Sequence, residues 1–211
     1  MNSGKSTALL QAAFNYEERG QQVLVTKPQI DTKGEAFIVS RLGVTRAVDF
    51  TVAPDEDIYV AFARERERVL RERGTDVSCL LVDEAQFLTE GQVDDLLRIA
   101  ILEDVPVLAY GIRTDFQTVA FPGSRRLLEI AHSLEELKTI CRCGRKAMFN
   151  ARLVDGVFVF DGDQVAIDTG HVTYESLCGA CYLEESGGVL NNGWRAKVDF
   201  SYTGGPDPDF A

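Results

Sequence analysis

Three groups of residues in this 211-residue chain have the types and spacing of chemical groups. The first is Gly4-Lys5-Ser6-Thr7, set just before the apolar-periodic run Ala8 to Phe14. Successive backbone N–H groups at a helix start form a nest for oxyanions. Gly4 lets the backbone approach phosphates without a Cβ, Lys5 supplies a positive charge, and Ser6 supplies an oxygen for Mg²⁺. These residues fill the last positions of the phosphate-loop pattern G-x-x-x-x-G-K-[ST]. Its first glycine, and the strand that feeds the loop, would precede Met1. We expect a start about ten residues, one strand length, longer than this sequence. Read alone, the fragment also fits an ordinary capped helix.

The second group is Val82-Asp83-Glu84, which ends the apolar run Cys79 to Val82. A strand-terminal Asp beside a phosphate loop helps to hold Mg²⁺. Neighbouring strand residues point to opposite sides, so Glu84 is free for a different job. A carboxylate next to a hydroxyl nucleophile accepts its proton as the P–O bond forms. An isolated pair of this kind would more simply open a turn.

The third group is Cys141-Arg142-Cys143 with Cys178-Gly179-Ala180-Cys181. Two close pairs far apart in sequence supply four thiolates for a tetrahedral, closed, structural Zn²⁺ site. Gly144 provides a tight turn after the first pair. The alternatives are a redox pair or free thiols. Cys79, inside an apolar strand, reads as a core thiol.

The elements that must position these groups alternate between strand and helix. Helical periodicity runs over 7–19, 57–73, 92–103 and 124–131. Apolar strand-like runs occupy 23–26, 79–83 and 105–110, and 28–44 reads as loop. This order predicts a parallel α/β sheet flanked by helices. Beyond about residue 138 the chain changes to short β-prone segments, such as 147–154 and 157–160, between glycine-bearing turns. We read residues 1–137 as a phosphate-loop α/β domain, 138–185 as a small zinc-binding domain and 186–211, rich in Gly, Asn, Pro and Asp, as a tail.

The net charge of −11 argues against a duplex-binding surface, which needs clustered Lys and Arg. No apolar run approaches the roughly 18–20 residues of a spanning helix, and no signal-peptide pattern is present. Four cysteines arranged for a metal suit a reducing compartment, so the expected location is the cytoplasm, with no membrane and no nucleic acid as partner.

Together the segments resemble the thymidine kinase family of the zinc-containing, P-loop type. They are M-N-S-G-K-S-T, V-D-E-A-Q-F-L, Y-G-I-R-T-D-F, L-K-T-I-C-R-C-G-R-K-A and T-Y-E-S-L-C-G-A-C-Y. The match spans Met1 to about Leu183. It implies a RecA-like P-loop sheet plus a lasso domain, and transfer of the ATP γ-phosphate to the 5′-hydroxyl of thymidine or deoxyuridine.

By position, the resemblance puts Asn2, Ser3, Gly4, Lys5, Ser6 and Thr7 on the phosphates with Asp83, and Gln86 beside the nucleotide. It makes Glu84 the catalytic base. Met1, Phe87, Phe116 and Tyr174 fall around the nucleoside. Ala166, Ile167, Asp168, Thr169 and Gly170 correspond to the lasso, whose main chain reads the base edge. Cys141, Cys143, Cys178 and Cys181 become the zinc ligands. The resemblance also implies Mg²⁺ with ATP, a homotetramer, and dTTP as a feedback inhibitor.

The chain departs from the family pattern at Ile167-Asp168-Thr169-Gly170, where Ile-Gly-Gly is usual. It departs again at Lys33, where many members carry Arg. His171 and His132 read as solvated side chains. Two competing readings remain at this stage. One is a nucleotide-binding module that has lost catalysis. The other, which the acidic charge disfavours, is a RecA-like ATPase acting on DNA.

Overall fold

A computed structural model describes residues 4–29, 37–40, 43–164 and 171–188. The chain divides into two compact units. One comprises Asn2–Arg113 and Ala120–Leu137; the other is built from Thr114–Val119 and the chain from Lys138 onward.

The first unit is built on a four-stranded sheet, in the order β4-β1-β5-β6: β4 (Phe50–Val52), β1 (Gln22–Pro28), β5 (Val77–Val82), β6 (Val107–Ala109). All three pairings are parallel, as the alternation of strand and helix predicts. Side chains of successive strand residues leave on opposite faces. Leu24, Leu80 and Val82 therefore join one core with Ala61, Phe62 and Val69 of α2 (Ile58–Arg73) and Val93, Leu96 and Ile99 of α3 (Glu90–Leu102). Val23, Val25, Cys79 and Leu81 join the other, with Leu9, Leu10 and Ala13 of α1 (Lys5–Glu17). Both faces are covered, which is why these strands read as continuous apolar runs rather than as alternation.

Local chemistry sets the helix ends. Asp57 accepts from the Val60 amide at the start of α2, and Gly74, in the left-handed region, ends it. Thr89 and Gln92 form a reciprocal capping box on α3. Pro122 occupies the first position of α4 (Pro122–Ile130).

In the second unit β7 (Phe149–Val154) lies between β8 (Val157–Val159) and β9 (Val172–Leu177), both antiparallel to it. Asp155 and Gly156 both have positive φ and make the two-residue turn of the β7–β8 hairpin. After β9 comes the short α5 (Gly179–Glu185). The core is small: Ala151, Leu177 and Tyr182, Phe149, Phe158 and Phe160, and the buried cysteines.

The expected helices and buried strands are present, with three differences. Helix α1 begins at Lys5, not at 7, because Gly4 in the left-handed region (φ 74°) starts it there. The loop expected over 28–44 contains β2 (Phe37–Val39), which pairs antiparallel with β3 (Thr45–Ala47). These strands, like β4, are three residues long, too short to show a period of two. Finally, β9 ends just before Cys178 and α5 contains Cys181, in a stretch whose pattern is too mixed and too short for either element to be read.

Candidate active site and metal centre

The carboxyl end of β5 gathers the first unit's chemistry. The Asp83 amide donates to the Thr26 carbonyl of β1 (2.9 Å), which fixes the residue at the sheet edge. Asp83 is buried, and burial together with the neighbouring Glu84 carboxylate pushes its carboxyl up to about 6. The Glu84 amide, donating to its Oδ1 at 3.0 Å, and the ammonium groups of Lys5 and Lys27 pull the other way. The start of α1 and the end of β5 thus act on one another electrostatically. A buried carboxylate whose ionised form is disfavoured in this way gains from any cation brought beside it.

Glu84 itself has φ 50° and ψ 36°, a left-handed conformation costing on the order of 1 kcal/mol or more for a residue with a Cβ. It opens a 3₁₀ turn, Ala85–Phe87. That turn is held by the Ala85 amide on the Tyr110 carbonyl (2.9 Å) and by Gly123, where a Cβ would meet the carbonyl oxygens of Ala85 and Leu88 at 2.6 and 2.7 Å. The Gln86 amide group donates to the Glu84 carboxylate and accepts from the Ile112 N–H (3.2 Å). Phe87 is half-buried and meets Phe121 edge to face, ring centroids 5.4 Å apart. Lys5, Ser6 and Thr7 are half-buried in the first turn of α1. Met1, Asn2, Ser3 and Lys33 lie outside the described residues.

In the second unit, Phe116 is buried (1% exposed), and the Arg152 guanidinium covers its ring at 3.6 Å from the centroid. Arg152 is itself buried. It donates to the Tyr174 hydroxyl (3.3 Å) and to the Gln164 carbonyl (2.9 Å), and faces the Tyr174 ring at 5.8 Å. Gln164 donates in turn to Asp115 Oδ2 (3.0 Å), whose Oδ1 accepts from the Gln117 and Val119 amides. The Tyr182 hydroxyl donates to the Phe116 carbonyl at 2.6 Å. Two residues of the sequence reading, Phe116 and Tyr174, are therefore tied together by a third, Arg152, that the sequence reading did not single out. Its one signal was an arginine inside a β-prone run. Ala166 to Gly170 fall outside the described residues.

The thiol sulfurs of Cys141, Cys143, Cys178 and Cys181 all lie within 4.8 Å of one another. The Cys143–Cys178 separation is 3.6 Å, near the roughly 3.8 Å edge of a tetrahedron with Zn–S bonds of about 2.3 Å. Gly144 at φ 87° makes the turn that lets the Arg145 amide donate to the Cys143 sulfur, which helps hold that thiol down to about 7. Four convergent sulfurs with backbone donors can hold a metal ion. Cys79, by contrast, is fully buried in β5 and its thiol is pushed up to about 11 by burial, as suits an inert core residue. His132 and His171 are exposed.

A family model described as thymidine kinase matches residues 1–182. Among curated proteins the chain is similar to the thymidine kinase of Enterobacteria phage T4, 47% identical over 180 residues, covering 84% of this chain and 89% of the phage protein. It is 44% identical over 190 residues to the thymidine kinase of Legionella pneumophila strain Lens, 89% of this chain and 88% of the relative. It is 46% identical over 190 residues to that of Idiomarina loihiensis, 89% and 94% of the two chains.

Proposed function

From the premise that this chain belongs to the thymidine kinase family, we propose that it transfers the ATP γ-phosphate to the 5′-hydroxyl of thymidine, and of deoxyuridine, to give the nucleoside monophosphate. The observation that carries the reading is the meeting, at the end of β5, of Asp83 and Glu84 with the charge of Lys5 from the start of α1. A donor needs a cationic cradle, an acceptor hydroxyl needs a base, and this edge supplies both.

Residues 2–7 bind the ATP phosphates, with Gly4 permitting close backbone approach and Lys5 placed to neutralise charge that builds on the transferred oxygens. Mg²⁺ bound with the nucleotide would be held by Ser6 and Asp83, and would neutralise phosphate charge. Glu84 accepts the 5′-hydroxyl proton as the new P–O bond forms, a role worth typically about 10²–10⁴ in rate. The exposed Arg113 is available to the same charge. Gln86 lies beside the nucleotide.

We assign nucleoside binding to Met1, Phe87, Phe116, Tyr174 and residues 166–170, since a flat pyrimidine suits aromatic faces. The four cysteines hold a structural Zn²⁺, which stabilises a unit whose own apolar core is small. We also propose that the enzyme works in the cytoplasm as a homotetramer and is inhibited by dTTP. Among the described residues, no helix is long and apolar enough to cross a membrane.

Measuring ADP release with each nucleoside in turn tests the substrate assignment. Thymidine and deoxyuridine should both sustain turnover with Mg-ATP, and deoxycytidine and purine nucleosides should not. Equal rates with all of them would overturn it.

A further inference from the structure

Gln86 is 1% exposed, and its side-chain amide has both ends engaged. The oxygen accepts from the Ile112 backbone N–H at 3.2 Å, and the nitrogen donates to the Glu84 carboxylate. The two partners allow only one orientation of the amide. A backbone N–H can only donate and a carboxylate can only accept, so a flipped amide would face a donor with a donor and an acceptor with an acceptor.

The segment after β6 that presents Ile112 is itself fixed. The Tyr110 amide donates to the Val82 carbonyl (2.8 Å), and the Ala85 amide to the Tyr110 carbonyl (2.9 Å). Between these residues stands Gly111. A Cβ there would lie 2.9 Å from Gln86 Oε1 and 3.1 Å from the Gln86 backbone nitrogen. Real Cβ atoms essentially never come as close as 2.9 Å, and 3.1 Å to backbone is already tight, so the amide occupies space that any other residue at 111 would claim.

We infer that Gln86 is a positioning residue that orients the Glu84 carboxylate, and that position 111 is glycine because it admits the Gln86 amide. This rests on Glu84 being the base. Glu84 is held in an unfavourable left-handed backbone conformation, and its carboxylate points where it does only if the side chain is also held. Gln86 supplies that hold from the rigid β6 side of the sheet, through Ile112. Both hydrogen bonds of its side chain go to the protein, one to the Glu84 carboxylate and one to the Ile112 backbone, so the effect of removing it should fall on the chemical step.

The test compares Q86A, G111A, the double variant and E84Q in the full-length protein, measuring kcat, the KM for thymidine and thymidine binding by calorimetry. Misplacing a reacting group by about 1 Å costs on the order of 10²-fold. Q86A and G111A should each lower kcat by about 10- to 100-fold. Thymidine KM and binding should stay within about threefold, and the double variant should be no slower than Q86A, since both changes act through one side chain. Retained thymidine binding shows that the variants are folded. The inference is overturned if Q86A keeps a near-normal kcat, if KM rises in step with the loss of kcat, or if the two losses multiply. E84Q separates the causes: an active E84Q removes the base assignment itself, while an inactive E84Q with a normal Q86A removes only the role of Gln86.

Discussion

The Arg152 guanidinium lies 3.6 Å from the centre of the Phe116 ring. A buried cation is ordinarily matched by an anion. Among the described residues the partners of Arg152 are two aromatic faces, a tyrosine hydroxyl and a main-chain carbonyl. The arrangement fixes Phe116 and Tyr174 relative to each other.

Replacing Arg152 should therefore act on nucleoside binding more than on chemistry. Arg152→Met should raise the KM for thymidine by about tenfold, about 1.4 kcal/mol, with kcat changed far less. Arg152→Lys should not restore it, because a single ammonium cannot donate in two fixed directions while covering a ring. Steady-state kinetics on the two variants decides this; recovery with lysine would show that charge alone suffices.

Asp83 gives a stability effect of opposite sign to the usual buried carboxylate in an ion pair. Its carboxyl, at about 6 in the folded chain, lies above the ordinary 3.8. The folded state thus holds the proton more tightly than the unfolded state does. Without nucleotide, ionised Asp83 destabilises the fold above about pH 6, and the penalty vanishes as the pH falls toward 4. Asp83→Asn should accordingly stabilise the nucleotide-free protein at pH 7.5 by on the order of 1–3 kcal/mol, but not at pH 4, while abolishing turnover. Thermal unfolding at the two pH values checks the sign. Binding of Mg-ATP to the unmodified protein should weaken as the pH drops through about 6, because protonated Asp83 no longer presents a charge to the cation.

The cysteine cluster should carry one Zn²⁺ per chain, and its removal should act locally. Chelation should abolish hydrogen-exchange protection in β7 and β9 while leaving β1 and β5 protected, since the first unit has its own two cores. Metal analysis together with exchange mass spectrometry tests this; unchanged protection in β7 after complete metal loss would contradict a structural role.

Gly123 should resist substitution. The carbonyl oxygens of Ala85, Leu88 and Gln86 lie 2.6, 2.7 and 3.0 Å from where its Cβ would be, and all three belong to backbone. Gly123→Ala should cost about 1–3 kcal/mol by overpacking, read from denaturant unfolding, and should displace the turn that carries Gln86 and Phe87.

Much of this was readable from residue order, and the exceptions have physical causes. The place of Asp83 at the end of β5 and the gathering of the four cysteines could be read because both lie in spacing along the chain: a charged residue ending an apolar strand, and thiols in close pairs. The Asp155-Gly156 hairpin carries its turn chemistry in two adjacent residues. Arg152 could not be read, because its partners Phe116, Gln164 and Tyr174 come from three separate segments and meet only in the fold. The same holds for Gln86 and Gly111, whose relation depends on β5 and β6 lying side by side. The three-residue strands β2, β3 and β4 are set by pairing and not by pattern.

The central claim is that Glu84 accepts the proton from the thymidine 5′-hydroxyl during transfer from ATP. The most direct measurement is the single-turnover rate of dTMP formation by the unmodified protein and by E84Q, with thymidine affinity measured on both. The unmodified protein should form dTMP and ADP in equal amounts, and E84Q should bind thymidine within about threefold of normal while its rate falls by about 10²–10⁴. A near-normal rate for E84Q, or no dTMP from the unmodified protein, would contradict it.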